Sequence, residues 1–333
     1  MSPTRGRTAW ILVGLVPTAF LLALLVGRYG ARVDETFRAL FNLGSVPDVL
    51  RALVVRVRLP RALAAGCVGA NLAVVGTAFQ GLFRNPLVDS RILGVSSGAA
   101  FGAAVALLVS AGTIGLQASS FAFALLAVGL VCLIGLRFGS APLVLVVGGV
   151  LVSAFFNALL GLVKYVADPL SSLPAITYWL LGGLGDARWS TIVPLLAVTA
   201  LGLAFFLAVR WRLNVLTLSE AEATALGVPV RGFRVAVILV GTLMIAASVA
   251  VSGIVGWIGL IVPHVARAWV GPEHGRLIPV SIALGASTVL LLDAIARTAL
   301  PSEIPLEILT GLVGVPAFFL LFLRFLRARG ETR

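Results

Sequence analysis

The sequence predicts an all-α integral membrane protein, a single domain over residues 1–333 with about ten transmembrane helices. Three observations carry that prediction. Of the 333 residues, 60% are hydrophobic and only 11% charged, with a mean hydropathy of +1.10. A soluble domain carries about 25% charged residues and needs them to cover its surface. Long uncharged runs recur along the chain, and about 20 apolar residues cross the hydrocarbon as a helix. The net charge of +12 is scattered between those runs rather than clustered with aromatics, which suits lipid headgroups and orientation better than nucleic acid.

The N-terminus, MSPTRGRTAW with an apolar run to Gly27, imitates a signal peptide. No clear small-x-small cleavage site follows the run, so it reads as an uncleaved first span. The next run, 62–83, is the second span. The run 92–136 is too long for one crossing and folds as a hairpin turning at Ser110 to Thr113. Runs 138–163 and 189–209 are spans five and six. The run 235–266 is again too long for one span: Ser252-Gly253 weakens its middle and Pro263 interrupts its second part. It divides into a full span to about Val251 and a short crossing from Gly256 to Val270. Runs 277–292 and 308–323 complete ten crossings. Broken segments at membrane depth are tolerated only where protein or a water-filled cavity covers them.

Ten crossings put both termini on one side. With the termini cytoplasmic, 15 Lys/Arg lie inside and 10 outside, and seven of those ten (Arg28, Arg32, Arg38, Arg51, Arg56, Arg58 and Arg61) lie between spans one and two. Elsewhere the split is 15 to 3, a positive-inside pattern. The outer arginines are therefore a local exception: they serve an acidic partner outside, or they form an amphipathic lead-in to span two.

Gly76 and Pro86 stand ten apart, as do Gly253 and Pro263, displaced by 177 residues. The match is weak, but it suggests that spans two to five repeat in spans seven to ten, as in some transporters.

No catalytic constellation stands out. The two histidines, His264 and His274, lack the partners that a metal site needs, so no metal or cofactor is expected. Cys67 and Cys132 read as packing residues inside apolar runs. No G-x-x-x-x-G-K-[ST] loop occurs, so any ATP-driven step belongs to a separate subunit and the chain is not itself an enzyme.

The largest cytoplasmic connection, 210–234, contains LTLSEAEATALGV. Ser219 with Glu222 reads as a capping box, and Gly227 with Pro229 ends the helix. A helix that short is marginal alone and needs a docking surface. Asp293 and Arg297 form an i, i+4 pair at the outer end of span nine, and charges there face protein or a vestibule. The turn RNPLVDSR after span two falls on the cytoplasmic side, where it suits a gate better than a cargo site.

RLPRALAAGCVGANLAVVGTAFQGLFRNPLV, ILGVSSGAA, YWLLGGL, SEAEATALGV, GLIVPHVAR, GPEHGR, LLDAIAR and EIPLEILTGLVGVPAF occur in this order from about Arg58 to Arg324. Together they resemble the FecCD-type permease family of type II ABC importers for iron–siderophore complexes, haem and cobalamin. Asp89-Ser90 replaces a common small-residue–Pro pair, and Glu307 stands where glycine is usual.

The resemblance implies a multi-pass inner-membrane permease of a prokaryote that pairs with a second copy of itself around a translocation pathway. Two ATP-binding cassette ATPase subunits then bind inside and a substrate-binding protein docks outside. It further implies that Ser219, Glu220, Glu222, Ala223, Leu226 and Gly227 belong to the ATPase-coupling segment. Arg58, Arg61 and Arg297 match arginines that dock the binding protein. Asn85, Pro86 and Leu87 match the turn that narrows the pathway at its cytoplasmic end. The implied cargo is an iron chelate, siderophore or haem, with cobalamin or an oxyanion such as molybdate as alternatives. An ion-coupled secondary transporter, the alternative class, predicts intramembrane carboxylates that the apolar cores almost lack. A purely structural scaffold needs neither a capped cytoplasmic helix nor an outer arginine cluster.

Overall fold

The computed structural model describes residues 3–30, 32–138, 141–218, 220–227 and 229–328. Among them every regular element is a helix. Helix α1 (Pro3–Leu25) is followed by two short outer helices, α2 (Val33–Phe41) and α3 (Asp48–Ala52). A π-helical turn (Leu53–Arg58) joins α3 to α4 (Leu59–Leu82). Pro60 has no N–H to offer the preceding turn, and there the ladder widens, with Leu59 N–H donating to the Val54 carbonyl.

Helices α5 (Val95–Leu108), α6 (Gly112–Phe138) and α7 (Pro142–Val166) follow. The α5–α6 turn falls where the sequence places it. Ser110 takes a left-handed φ of 52° and Ala111 N–H bonds back to the Ala106 carbonyl, ending α5. Next come α8 (Ser172–Leu180), α9 (Trp189–Val215) and α10 (Glu220–Ala225). The chain closes with α11 (Val230–Ser252), α12 (Ile258–Val270), α13 (His274–Thr298) and α14 (Leu306–Ala328). The break at Ser252-Gly253 is present, with Gly253 at φ 63° and Trp257 at φ 66°.

Among the described residues six helices are long and apolar enough to cross a bilayer, and four shorter apolar helices lie where further crossings were expected. With 14 and 13 residues, α5 and α12 rise only about 20 Å, short of the roughly 30 Å hydrocarbon. Residues 88–94 and 253–257 adjoin those helices as irregular chain largely packed inside the protein.

The helix pattern recurs. Helices α4 to α7 have 24, 14, 27 and 25 residues, and α11 to α14 have 23, 13, 25 and 23. Helices α12, α13 and α14 begin 163, 162 and 164 residues after α5, α6 and α7, so the structural offset is not the 177 that the Gly–Pro spacing suggested. Pro86 sits in a turn whereas Pro263 lies inside α12, so those two prolines are not equivalent. Packing follows the same logic. The lead helix of each set crosses to the other, α4 onto α12 and α13, α11 onto α5 and α6.

Small residues allow this interlocking. At the α4–α13 crossing, a Cβ on Gly69 would stand 2.1 Å from the Gly285 carbonyl oxygen, and one on Gly285 would stand 2.3 Å from that of Gly69. Only glycine lets two backbones approach so closely in a membrane. Polar knots add to the packing: Asn71 Nδ2 donates to Thr199 Oγ1 (2.9 Å) on α9 and Ser248 Oγ (3.0 Å) on α11. Cys67 and Cys132 are free thiols packed at the edge of the core.

Candidate functional site

The end of the bundle where α4 begins and α13 ends is organised by charge. Asp293, near the end of α13, is 0% exposed and receives Arg61 of α4 (2.9 Å) and Arg297 one turn on (3.0 Å). Arg61 also forks onto Glu303 in the α13–α14 loop, Nη1 to Oε1 at 2.9 Å and Nη2 to Oε2 at 2.8 Å. That bidentate hydrogen bond holds the Glu303 carboxyl below its usual pKa. Arg58 and Arg297 grip the C-terminal carbonyls of α1: Arg58 donates to Leu24 (2.9 Å) and Leu25 (3.3 Å), Arg297 to Ala23 (2.9 Å). Free carbonyls at a helix C-terminus attract cations, so both contacts are favourable.

The structure brings Arg58, Arg61 and Arg297 together but turns them inward: they are 3%, 6% and 8% exposed. Other outer arginines are also paired within the chain, Arg28 with the Arg297 and Leu300 carbonyls and Arg32 and Arg38 with Asp34. The basic excess between the first two spans is largely satisfied internally. Arg61 and Glu303 border an open cavity of about 1100 Å³, whose wall includes Gln117, Asp168, Trp179 and Asp186.

Behind the cavity lies a three-way joint. Gly183 N–H donates to Ser252 O (2.8 Å), while Leu306 and Glu307 N–H donate to Gly182 O and Leu181 O (3.0 Å each). The end of α8, the α11–α12 break and the start of α14 are therefore stitched backbone to backbone. Close by, Arg91 pairs with Asp89 (2.7 Å) and Glu307 (3.6 Å). Sequence reasoning noted Asp89 and Glu307 separately but missed that one arginine joins them.

At its far end, α4 stops in a Schellman turn, with Asn85 N–H bonded to Gln80 O (3.1 Å) and Arg84 N–H to Gly81 O (3.2 Å). Asn85 Oδ1 accepts from Leu87 N–H (2.9 Å), so Asn85, Pro86 and Leu87 form a compact Asx turn with Leu87 outward. In the α9–α11 connection, α10 ends at Gly227, left-handed at φ 76°, as its sequence predicts. Leu226 is 61% exposed, Glu222 is exposed, and Ala223 is buried at 1% against α11. Ala223 anchors the helix and Leu226 is its outward face. Ser219, and with it the expected capping box, lies outside the described residues; of Glu220 only the helical backbone is described. Among the described residues no group of three or more His, Cys, Asp or Glu is arranged to hold a metal.

A model of the FecCD transport family matches residues 15–324. The chain belongs to the FecCD transport family. Like the helical architecture, the match spans nearly the whole polypeptide. The chain is 38% identical over 317 residues to the molybdate import system permease protein MolB of Haemophilus influenzae, covering 94% of each. It is 38% identical over 336 residues to the hemin transport system permease protein HmuU of Yersinia pestis, covering 96% of each. A solved metal-chelate type ABC transporter in an inward-facing conformation superposes with a TM-score of 0.86 at 36% identity, covering 95% of this chain and 98% of that one. This FecCD protein is accordingly an ABC permease, a transport subunit with several membrane-spanning helices seated in the inner membrane.

Proposed function

We propose that this FecCD permease pairs with a second copy of itself to form the translocation pathway of an ATP-driven importer for an iron chelate, siderophore or haem. Ten crossings leave both termini cytoplasmic; two ATPase subunits dock inside and an extracytoplasmic binding protein docks outside. The observation that carries the reading is one chain with a cavity of about 1100 Å³ at its outer end and, beyond the full length of α9, a short helix presenting Leu226. A cavity of that volume suits a cargo of drug size or larger. The likeness to MolB favours a second reading, in which the cargo is an oxyanion such as molybdate.

The test is uptake into vesicles containing the permease, its ATPase and its binding protein, offered haem, a ferric siderophore, cobalamin and molybdate in turn. ATP-dependent accumulation of an iron chelate is expected. Accumulation of molybdate alone transfers the function to the second reading, and uptake driven by an ion gradient without ATP sinks both.

Docking at the outer end is part of the same proposal. Arg61 holds two carboxylates, and Glu303 is the exchangeable one, its side chain 34% exposed against 1% for Asp293. An acidic residue on the binding protein takes Glu303's place, while Arg58 and Arg297 fix the frame around it. Glu303→Gln removes the internal competitor and is expected to raise affinity for the binding protein severalfold at low salt. Unchanged affinity removes Arg61 from the docking face.

A further inference from the structure

Arg84 occupies a position that its residue type does not favour. It is the left-handed residue of the Schellman turn ending α4, with φ 50°, where glycine is the usual occupant. A non-glycine residue held there is strained and persists when something else fixes it. The side chain supplies that something. Arg84 Nε donates to the Leu216 carbonyl at 3.2 Å, and Arg84 Nη2 donates to the Leu218 carbonyl. Leu216 caps α9, and Leu218 lies just ahead of α10. The residue immediately after Arg84 is Asn85, first of the Asx turn that carries Leu87.

The end of α9 is gripped from its other side too. Asn214 Nδ2 donates to Glu273 Oε1 at 2.9 Å, and Asn214 Oδ1 accepts from His274 N–H at 2.8 Å. His274 in turn lies against Gly81, in the last turn of α4. The chain leading into α10 is thus fastened to the α4 terminus by Arg84 and to the α12–α13 turn by Asn214.

We infer that Arg84 is a positioning residue that carries displacement of the coupling segment to the inner turn Asn85–Leu87, so that ATPase movement and gate movement are one motion. This rests on the proposed roles of α10 and of that turn. A planar guanidinium holding two carbonyls of one segment transmits a push better than a single flexible bond, because both distances must change together. Without it, the segment leading into α10 loses its direct hold on that turn, and α10 can shift while the turn stays still.

The test needs no cargo. In inner-membrane vesicles carrying the permease with its ATPase, Leu87→Cys is introduced with Cys67→Ala and Cys132→Ala. Its rate of maleimide modification is then compared without nucleotide and after vanadate trapping with ATP. With Arg84 intact the two rates are expected to differ by fivefold or more. Arg84→Ala is expected to reduce that difference to under twofold while ATP hydrolysis continues, and Arg84→Lys to restore part of it. If Arg84→Ala does not assemble, Arg84→Gln is read in its place. A nucleotide-dependent difference as large in the alanine or glutamine variant as with Arg84 intact overturns the inference and leaves the gate reading standing. Equal rates with Arg84 intact overturn the gate reading and the inference with it.

Discussion

Arg61→Ala costs the folded permease about 3–5 kcal/mol, the price of removing one of the two cations that hold a buried carboxylate. Asp293 is fully enclosed, so the carboxylate exposed to this loss has no water to turn to. Arg297 keeps its Nε at 3.0 Å from Asp293, but its Nη2 is taken by the Ala23 carbonyl, so it cannot supply the second ion pair that Arg61 made. Arg61→Lys keeps the charge yet cannot fork onto Glu303 while also reaching Asp293, so it recovers only part of the stability. Removing both partners, Arg61→Ala with Asp293→Ala, is expected to cost less than the sum of the single changes, because the pair shares one interaction. Denaturant titration of the unaltered permease, Arg61→Ala, Arg61→Lys, Asp293→Ala and the double variant in mixed micelles measures this. A single-variant cost within about 0.5 kcal/mol, the level of an ordinary surface change, shows that the cluster does not hold the outer end together.

Leu226→Asp produces the largest functional loss expected at the inner end, with little effect on the fold. The side chain is exposed and the helix is anchored by Ala223, so the isolated permease tolerates the change. On the proposed assembly the same leucine enters the ATPase surface, where a central apolar anchor carries about 2 kcal/mol or more of the docking energy. Affinity for the ATPase then falls about thirtyfold, and ATP-driven uptake falls with it. Ala223→Asp is the informative contrast: it buries a carboxylate and destabilises the permease itself. If Leu226→Asp permease still co-purifies with its ATPase and transports at the normal rate, α10 is not the coupling element.

The placement of the helices was legible because the bilayer imposes a length on every crossing, so that excess length and internal weak points mark the folds. The turn at Ser110 and the break at Ser252-Gly253 follow from that rule alone. The pairing of helices was not, because it depends on contacts such as Gly69 with Gly285, far apart in sequence and carrying no period. The true offset of the two sets was hidden for a related reason: Gly76–Pro86 and Gly253–Pro263 share a spacing but not a structural place. The arginines show the limit most clearly. Counting charges found the outer excess, yet a count reports sign and not partner. Arg61 and Asp293 stand 232 residues apart. The Asp293–Arg297 pair near the end of an apolar run was the available signal, since charges there must face protein or a vestibule.

That separation matters during synthesis. α4 emerges with Arg61 long before α13 has been made, and its preferred neighbours α11, α12 and α13 all lie in the later half of the chain. The early helices must wait beside the translocation machinery, with an unpaired guanidinium near the outer interface, until the ribosome delivers the rest. Severed halves of this protein, expressed apart, are then each incomplete, and the arginine–aspartate pair forms only when the last third of the polypeptide has arrived.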